Sequence, residues 1–198
     1  MTQEQLASRG SSEAVPLVRL NDIARYFDVS PPLLNRLLGG ERKRILKAVD
    51  GVSFSVPRGK TFALVGESGC GKSTLARVIV GLHRPTRGRV EFDGVDIGAL
   101  RTRKTIATVR RRIQMVFQDP YASLNPRWQV RNIIAEPLRA YQLVESRLEL
   151  TKRVHELLIH VGLSPEDDSK YPHEFSGGQR QRISIARALA SKPDFIVC

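Results

Sequence analysis

The chain has 198 residues, 41% of them hydrophobic, and a formal net charge of +12, so it is long and apolar enough to bury a core. Its two cysteines exclude a disulfide framework, and neither has a neighbour at metal-ligand spacing. The start lacks the apolar stretch of a signal peptide and no apolar run approaches the ~20 residues of a membrane helix, so a cytosolic chain is expected, held at a membrane only through partners.

Residues 1–14 are polar and small and read as a frayed terminus. Tyr26 and Phe27 form an aromatic pair of the kind that is common core material. Phe62-Ala63-Leu64-Val65 reads as a short buried strand launched from Pro57 and Gly59, and Lys72 to Val80 as a helix closed by Gly81. Between them, Gly66-Glu67-Ser68-Gly69-Cys70-Gly71-Lys72-Ser73 fits the phosphate-loop pattern of Gly, four residues, Gly, Lys and Ser/Thr, in the strand-to-helix context it requires. Glycines at 66, 69 and 71 let backbone N–H groups curl round an anion, and the helix N-terminus adds its partial positive charge. In that motif Lys72 reaches the β- and γ-phosphates, the Ser73 hydroxyl ligates Mg²⁺ and Thr74 assists. Cys70 is either a thiol activated by the helix terminus or a small residue tolerated by the turn.

Arg89 to Ile97 reads as two alternating strands about an Asp93-Gly94 turn. Arg101, Arg103, Lys104, Arg110, Arg111 and Arg112 concentrate charge without the interleaved aromatics of a nucleic-acid surface, which favours a solvated helix near a membrane surface. Gln118 follows the apolar strand Ile113 to Phe117, and Pro120, Asn125 and Pro126 mark a loop into an inserted helical subdomain at about 119–180. Val130 to Tyr141 reads as a helix that Pro137 kinks or ends, whereas Leu150, Val154, Leu157, Leu158 and Val161 form a stripe ending at Gly162. Ser176-Gly177-Gly178-Gln179 reads as a second capped helix start with exposed N–H groups, and Ile183, Ala186 and Leu189 recur at helical spacing behind it. Asp194 to Cys198 begins another apolar strand.

Val65 to Leu75, Arg112 to Arg127 and Tyr171 to Leu189 together resemble the ATP-binding subunit of an ABC importer, more narrowly its oligopeptide and dipeptide branch, over about residues 17–198. The resemblance implies an α/β P-loop NTPase core of the ABC type with an antiparallel β subdomain and the helical insertion. Residues 66–74 would then hold ATP and Mg²⁺. Phe175-Ser176-Gly177-Gly178-Gln179 matches the family signature, with Phe175 where many members have Leu, and would serve the nucleotide of a second subunit in a head-to-tail homo- or heterodimer. Gln118 matches the glutamine that touches Mg²⁺ or the attacking water, and Phe27, with Tyr26 second, stands where an aromatic stacks on adenine. Tyr121, Leu124 and Trp128 would face a short helix of one of two membrane permease subunits, an external binding protein would deliver the solute, and the chain would sit at the cytoplasmic face of the inner membrane.

In the family the strand begun at Asp194 leads into Asp-Glu, the metal-anchoring and water-orienting pair, which lies outside these residues together with the switch histidine and final strands. A C-terminally incomplete domain is therefore expected, one that binds ATP but hydrolyses it poorly alone. The alternatives are an ABC ATPase acting on nucleic acid, or an inactive nucleotide-binding remnant.

Overall fold

The computed structural model describes residues 15–30 and 43–198, so the terminus expected to fray lies outside the described residues. The chain divides into two compact units between Ala99 and Leu100.

The first unit is built on a four-stranded antiparallel sheet in the order β2-β1-β3-β4, formed by β1 (Val18–Asp28), β2 (Ile45–Val56), β3 (Arg87–Phe92) and β4 (Val95–Asp96). Val18 and Leu20 are buried and Arg19 exposed, the alternation of a strand with one face on a core. An irregularity at Asn21 and Asp22, where Asp22 adopts a φ of 48°, resets the register so that Ile23 and Ala24 are both buried. Gly88 faces this bulge with a φ of 82°, and a Cβ there would stand 2.3 Å from the carbonyl oxygens of Asn21 and Asp22. The bulge therefore needs a glycine opposite it. The expected hairpin forms about Asp93 and Gly94, whose φ values of 53° and 76° have the sign of a type I′ turn. Helix α1 (Lys72–Ile79) packs on β1 and β2 through the buried Leu75, Val78 and Ile79. Burying each such side chain stabilises the unit by about 1.5–3 kcal/mol.

The strand expected at Phe62 to Val65 is corrected by the structure. The segment joins no ladder and lies exposed, with Val65 at 90% accessibility, while the Phe62 ring stacks on Phe54 of β2 at 4.4 Å. A run of apolar residues becomes a strand only when a neighbour takes up its backbone N–H and C=O groups. The sheet of this unit takes up no part of 62–65.

The second unit opens with helix α2 (Arg103–Arg112), capped by the Thr102 hydroxyl accepting from the Thr105 N–H. None of its residues is buried, as its charge implies. Arg111 nevertheless donates to the Ser191 carbonyl, and Arg112 pairs with Asp194 at 2.5 Å. Strand β5 (Ile113–Met115) pairs in parallel with β6 (Phe195–Val197), Ile113 opposite Phe195 and Met115 opposite Val197. Around this pair lie α3 (Pro120–Ser123), α4 (Val130–Ala140), α5 (Arg147–His160) and α6 (Gly177–Ala190).

Val130, Ile133, Ile134 and Leu138 of α4, Val154, Leu157 and Leu158 of α5, and Ile183 and Ala186 of α6 share one apolar core. The stripe read on α5 thus faces inward, and Gly162 with a φ of 72° follows the helix end as a left-handed terminator. Helix α4 runs through Pro137 and ends at Ala140, because Leu138 beyond the proline is only 1% exposed and its burial offsets the lost backbone bond. Leu124 belongs to this core at 3% exposure, so it is a packing residue and not the interface residue expected; Tyr121 and Trp128 are exposed at 67% and 42%.

Candidate functional site

The loop at 66–71 is shaped by two left-handed glycines. Gly69 has a φ of 81° and Gly71 one of 96°, and a Cβ on Gly71 would lie 2.1 Å from the Ala48 carbonyl oxygen of β2. The chain is pressed against the sheet just where it turns into α1, a path closed to every other residue. Ser68 lies exposed just before Gly69, and between the two glycines the Cys70 N–H donates to the Glu67 carbonyl at 3.3 Å. The Cys70 thiol fills the space beside Gly66, where a Cβ would come within 2.7 Å of Sγ.

Helix α1 begins at Gly71 with no side-chain cap. The first N–H groups of a helix have no intrahelical acceptor, and here no hydroxyl or carboxylate among the described residues supplies one. Ser73 is exposed and Thr74 half-buried at the same helix start. Lys72 folds back so that its Nζ donates to the Gly66 and Glu67 carbonyl oxygens at 2.6 and 2.5 Å and lies 3.6 Å from the Cys70 Sγ. An ammonium, uncapped amides and a glycine cradle therefore meet in one exposed turn. This donor set fits a phosphate group.

In the second unit, Ser176 caps α6 through a reciprocal box: its hydroxyl accepts from the Gln179 N–H, and the Gln179 side chain accepts from the Ser176 N–H. A Cβ on Gly177 or Gly178 would meet nothing within 4 Å, so that side of the helix start is open. Phe175 is 5% exposed and anchors the approach to the cap in the core. Gln118 lies exposed just after β5, and the carbonyl of its neighbour Phe117 accepts from Gln181 Nε2 of α6 at 3.5 Å. The structure thereby joins the Gln118 segment to the helix that starts at Ser176.

Phe27 is half-buried on β1, with the Arg25 guanidinium over its ring at 4.5 Å and His83 edge-on at 5.8 Å. Tyr26 is committed to other partners, its hydroxyl donating to Asp50 at 2.5 Å and Lys47 standing 5.4 Å from its ring. Among the described residues no three His, Cys, Asp or Glu side chains gather as a metal cluster. A Mg²⁺ carried on phosphate oxygens needs few protein ligands.

One residue escaped the sequence reading. Arg180 is only 9% exposed, donates to the Pro172 and His173 carbonyls at 2.6 and 3.3 Å, and lies 4.0 Å from the Tyr121 ring centroid. In sequence it is one arginine among several on a basic helix, and no local signal separates it from its solvated neighbours.

Residues 49–198 match the family described as ABC transporter. The oligopeptide transport ATP-binding protein AppF of Bacillus subtilis is 50% identical over 181 residues, covering 91% of this chain and 53% of the relative. The oligopeptide transport ATP-binding protein OppF of Escherichia coli is 52% identical over 182 residues, covering 92% and 53%. The chain spans about half the length of the curated relatives it matches. Among solved structures, the dimeric post-hydrolysis ATP-binding cassette MJ0796, bound to ADP and Pi, superimposes with a TM-score of 0.77 at 29% identity, over 90% of this chain and 72% of that one.

Proposed function

Since this chain belongs to the ABC transporter family, we propose that it is the ATP-binding part of an importer for peptides or similar small solutes, working at the cytoplasmic face of the membrane. The observation that carries the reading is the meeting of Lys72 with an uncapped helix start behind a glycine turn that nothing larger could follow. Similarity to peptide-transport relatives over nine-tenths of the chain supports the choice of cargo class.

In this reading the N–H groups of residues 69–74 and the Lys72 ammonium hold the β- and γ-phosphates, and Phe27 offers a ring face to adenine. Lys72 leaves the Gly66 and Glu67 carbonyls for the phosphates, exchanging neutral acceptors for charged ones. Ser73 would hold Mg²⁺, which when bound would supply neutralisation of the phosphate charge, and Gln118 is read on the family resemblance as the glutamine that touches the metal or the attacking water. The open start of α6 serves the nucleotide of a second subunit, so two chains pair head to tail. Two permease subunits pass the solute, an external binding protein delivers it, and nucleic acid is no partner. No helix among the described residues is long and apolar enough to cross a membrane, so attachment through permeases is the mode proposed.

Placing water and metal for hydrolysis requires carboxylates beside the phosphates. None of residues 69–74, which hold the phosphates in this reading, is a carboxylate, so we expect these residues by themselves to bind ATP and turn it over slowly. Isothermal titration of MgATP tests the core of the proposal: one site is expected, abolished or strongly weakened by Lys72→Ala. Equal affinity of the two chains overturns it. The cargo is tested by peptide uptake in cells whose own peptide-import ATP-binding subunit is replaced by one carrying these residues.

A further inference from the structure

Four contacts tie the segment around Gln118, from Phe117 to Ser123, to one face of α6. Phe117 accepts from Gln181 at 3.5 Å, the Tyr121 ring covers the Arg180 guanidinium at 4.0 Å, the Ser123 and Ser184 hydroxyls lie 3.0 Å apart, and the Ser123 carbonyl accepts from Arg187 at 2.7 Å. Arg180, Ser184 and Arg187 recur at helical spacing, so these attachments share one stripe of the helix.

Arg180 alone among them faces three ways. Its Nε and terminal nitrogen hold the Pro172 and His173 carbonyls in the turn that leads into Phe175 and Ser176, its own backbone lies in the first turns of α6, and its flat face is covered by Tyr121. At 9% exposure the charge is almost out of water and has no carboxylate partner among the salt bridges of the described residues. Burying such a charge is costly, and a leucine would fill a core at no such expense. Tyr121, by contrast, is 67% exposed, so its ring acts as a lid over the guanidinium more than as core filling.

We propose that Arg180, stacked under Tyr121, is a positioning residue that makes the Gln118 segment and the helix start at Ser176 to Gln179 one rigid body. A displacement of Gln118 is then delivered to Gly177 and Gly178 without being absorbed in the intervening loop. The inference rests on the reading of both segments as nucleotide-facing, but the rigidity itself is measured without nucleotide. The guanidinium is suited to this role because its planar fork binds two carbonyls while its face stacks, and a lysine reproduces only the charge.

The test places spin labels at Gln118→Cys and Gly178→Cys in the full 198-residue chain, with Cys70 and Cys198 replaced by Ser, and reads the distance distribution by pulsed electron resonance. A single narrow distribution is expected in that background and with Tyr121→Phe added, which keeps the stacked ring. Tyr121→Leu and Arg180→Lys should each broaden it at least twofold with the melting temperature unchanged. A distribution that is broad in the starting background, that stays narrow in both variants, or that broadens only as the melting temperature falls, overturns the proposal. Loss of MgATP binding in Lys72→Ala is a separate measurement, so failure of the functional reading and failure of this one are told apart.

Discussion

The Nζ of Lys72 lies 2.6 Å from the carbonyl oxygen of Gly66, so the lysine closes its own loop with a hydrogen bond that, in the proposed reading, gives way to a phosphate. Hydrogen bonds to a charged partner contribute about 1.5–3 kcal/mol. Lys72→Ala is therefore expected to weaken MgATP binding by roughly ten- to a hundredfold. Because the side chain is not in the core, thermal unfolding of the variant without nucleotide should match the parent, and the two measurements together separate binding from folding.

Gly71 and Gly94 offer a matched pair. Both have positive φ, 96° and 76°, but a Cβ at Gly71 would come 2.1 Å from the Ala48 carbonyl oxygen whereas one at Gly94 would meet nothing within 4 Å. Gly94→Ala should cost about 1–2 kcal/mol for the left-handed backbone alone. Gly71→Ala should cost at least about 2 kcal/mol more, since a clash with backbone cannot be relieved by a rotamer change. On a chain of this size the difference is a fall of roughly 4–8 °C in melting midpoint. Equal midpoints for the two variants would show that the loop is not pressed on β2.

At the start of α6, stability and proposed function should part company. Ser176→Ala removes a capping hydroxyl and is expected to cost about 1 kcal/mol in denaturant unfolding. Gly177→Ala adds a methyl to open space and should leave stability equal or raise it by up to about 1 kcal/mol. If this helix start grips the nucleotide of a second subunit, the added methyl still reduces ATP-dependent pairing of two chains in sedimentation velocity. Unaltered pairing would remove the helix start from the nucleotide interface.

The Tyr26 hydroxyl donates to Asp50 and, with Lys47 nearby, holds that carboxyl below the usual carboxylate range. A carboxylate whose folded pKa is depressed adds stability that is present above its unfolded pKa and lost as pH falls through the folded one. Tyr26 itself is raised by the same bond, so its contribution is present below the unfolded tyrosine pKa and lost on the alkaline side. Tyr26→Phe should therefore flatten the fall in stability below about pH 4. Denaturant unfolding of both chains between pH 2 and 7 checks this, and parallel profiles would show that the bond adds nothing in solution.

Much of the local chemistry was legible in the residues because it depends on partners a few positions away. The Asp93-Gly94 turn, the Ser176 to Gln179 box and the Gly162 stop are each decided by a φ preference or a side chain reaching its own backbone. The amphipathic stripe on α5 belongs to the same class, since helical spacing alone puts Val154, Leu157 and Leu158 on one face. The phosphate-loop motif was readable too, as a lysine and a helix start in fixed order.

What the residues by themselves did not decide is which groups end up paired or buried, because that is settled by segments distant in the chain. Phe62 to Val65 is apolar enough for a strand yet stays exposed for want of a ladder partner, and Leu124, read as a surface contact, is drawn into the helical core. Arg180 is the sharpest case. Its sequence neighbours mark it as solvated, but the fold brings a tyrosine and two carbonyls around it, and α6 meets the Phe117 carbonyl across 64 positions of chain. Propensity and capping act within a turn, whereas desolvation acts through whatever tertiary packing brings near; the sequence therefore determined the two glycine-bearing helix starts, and only the tertiary structure decided how one of them is held.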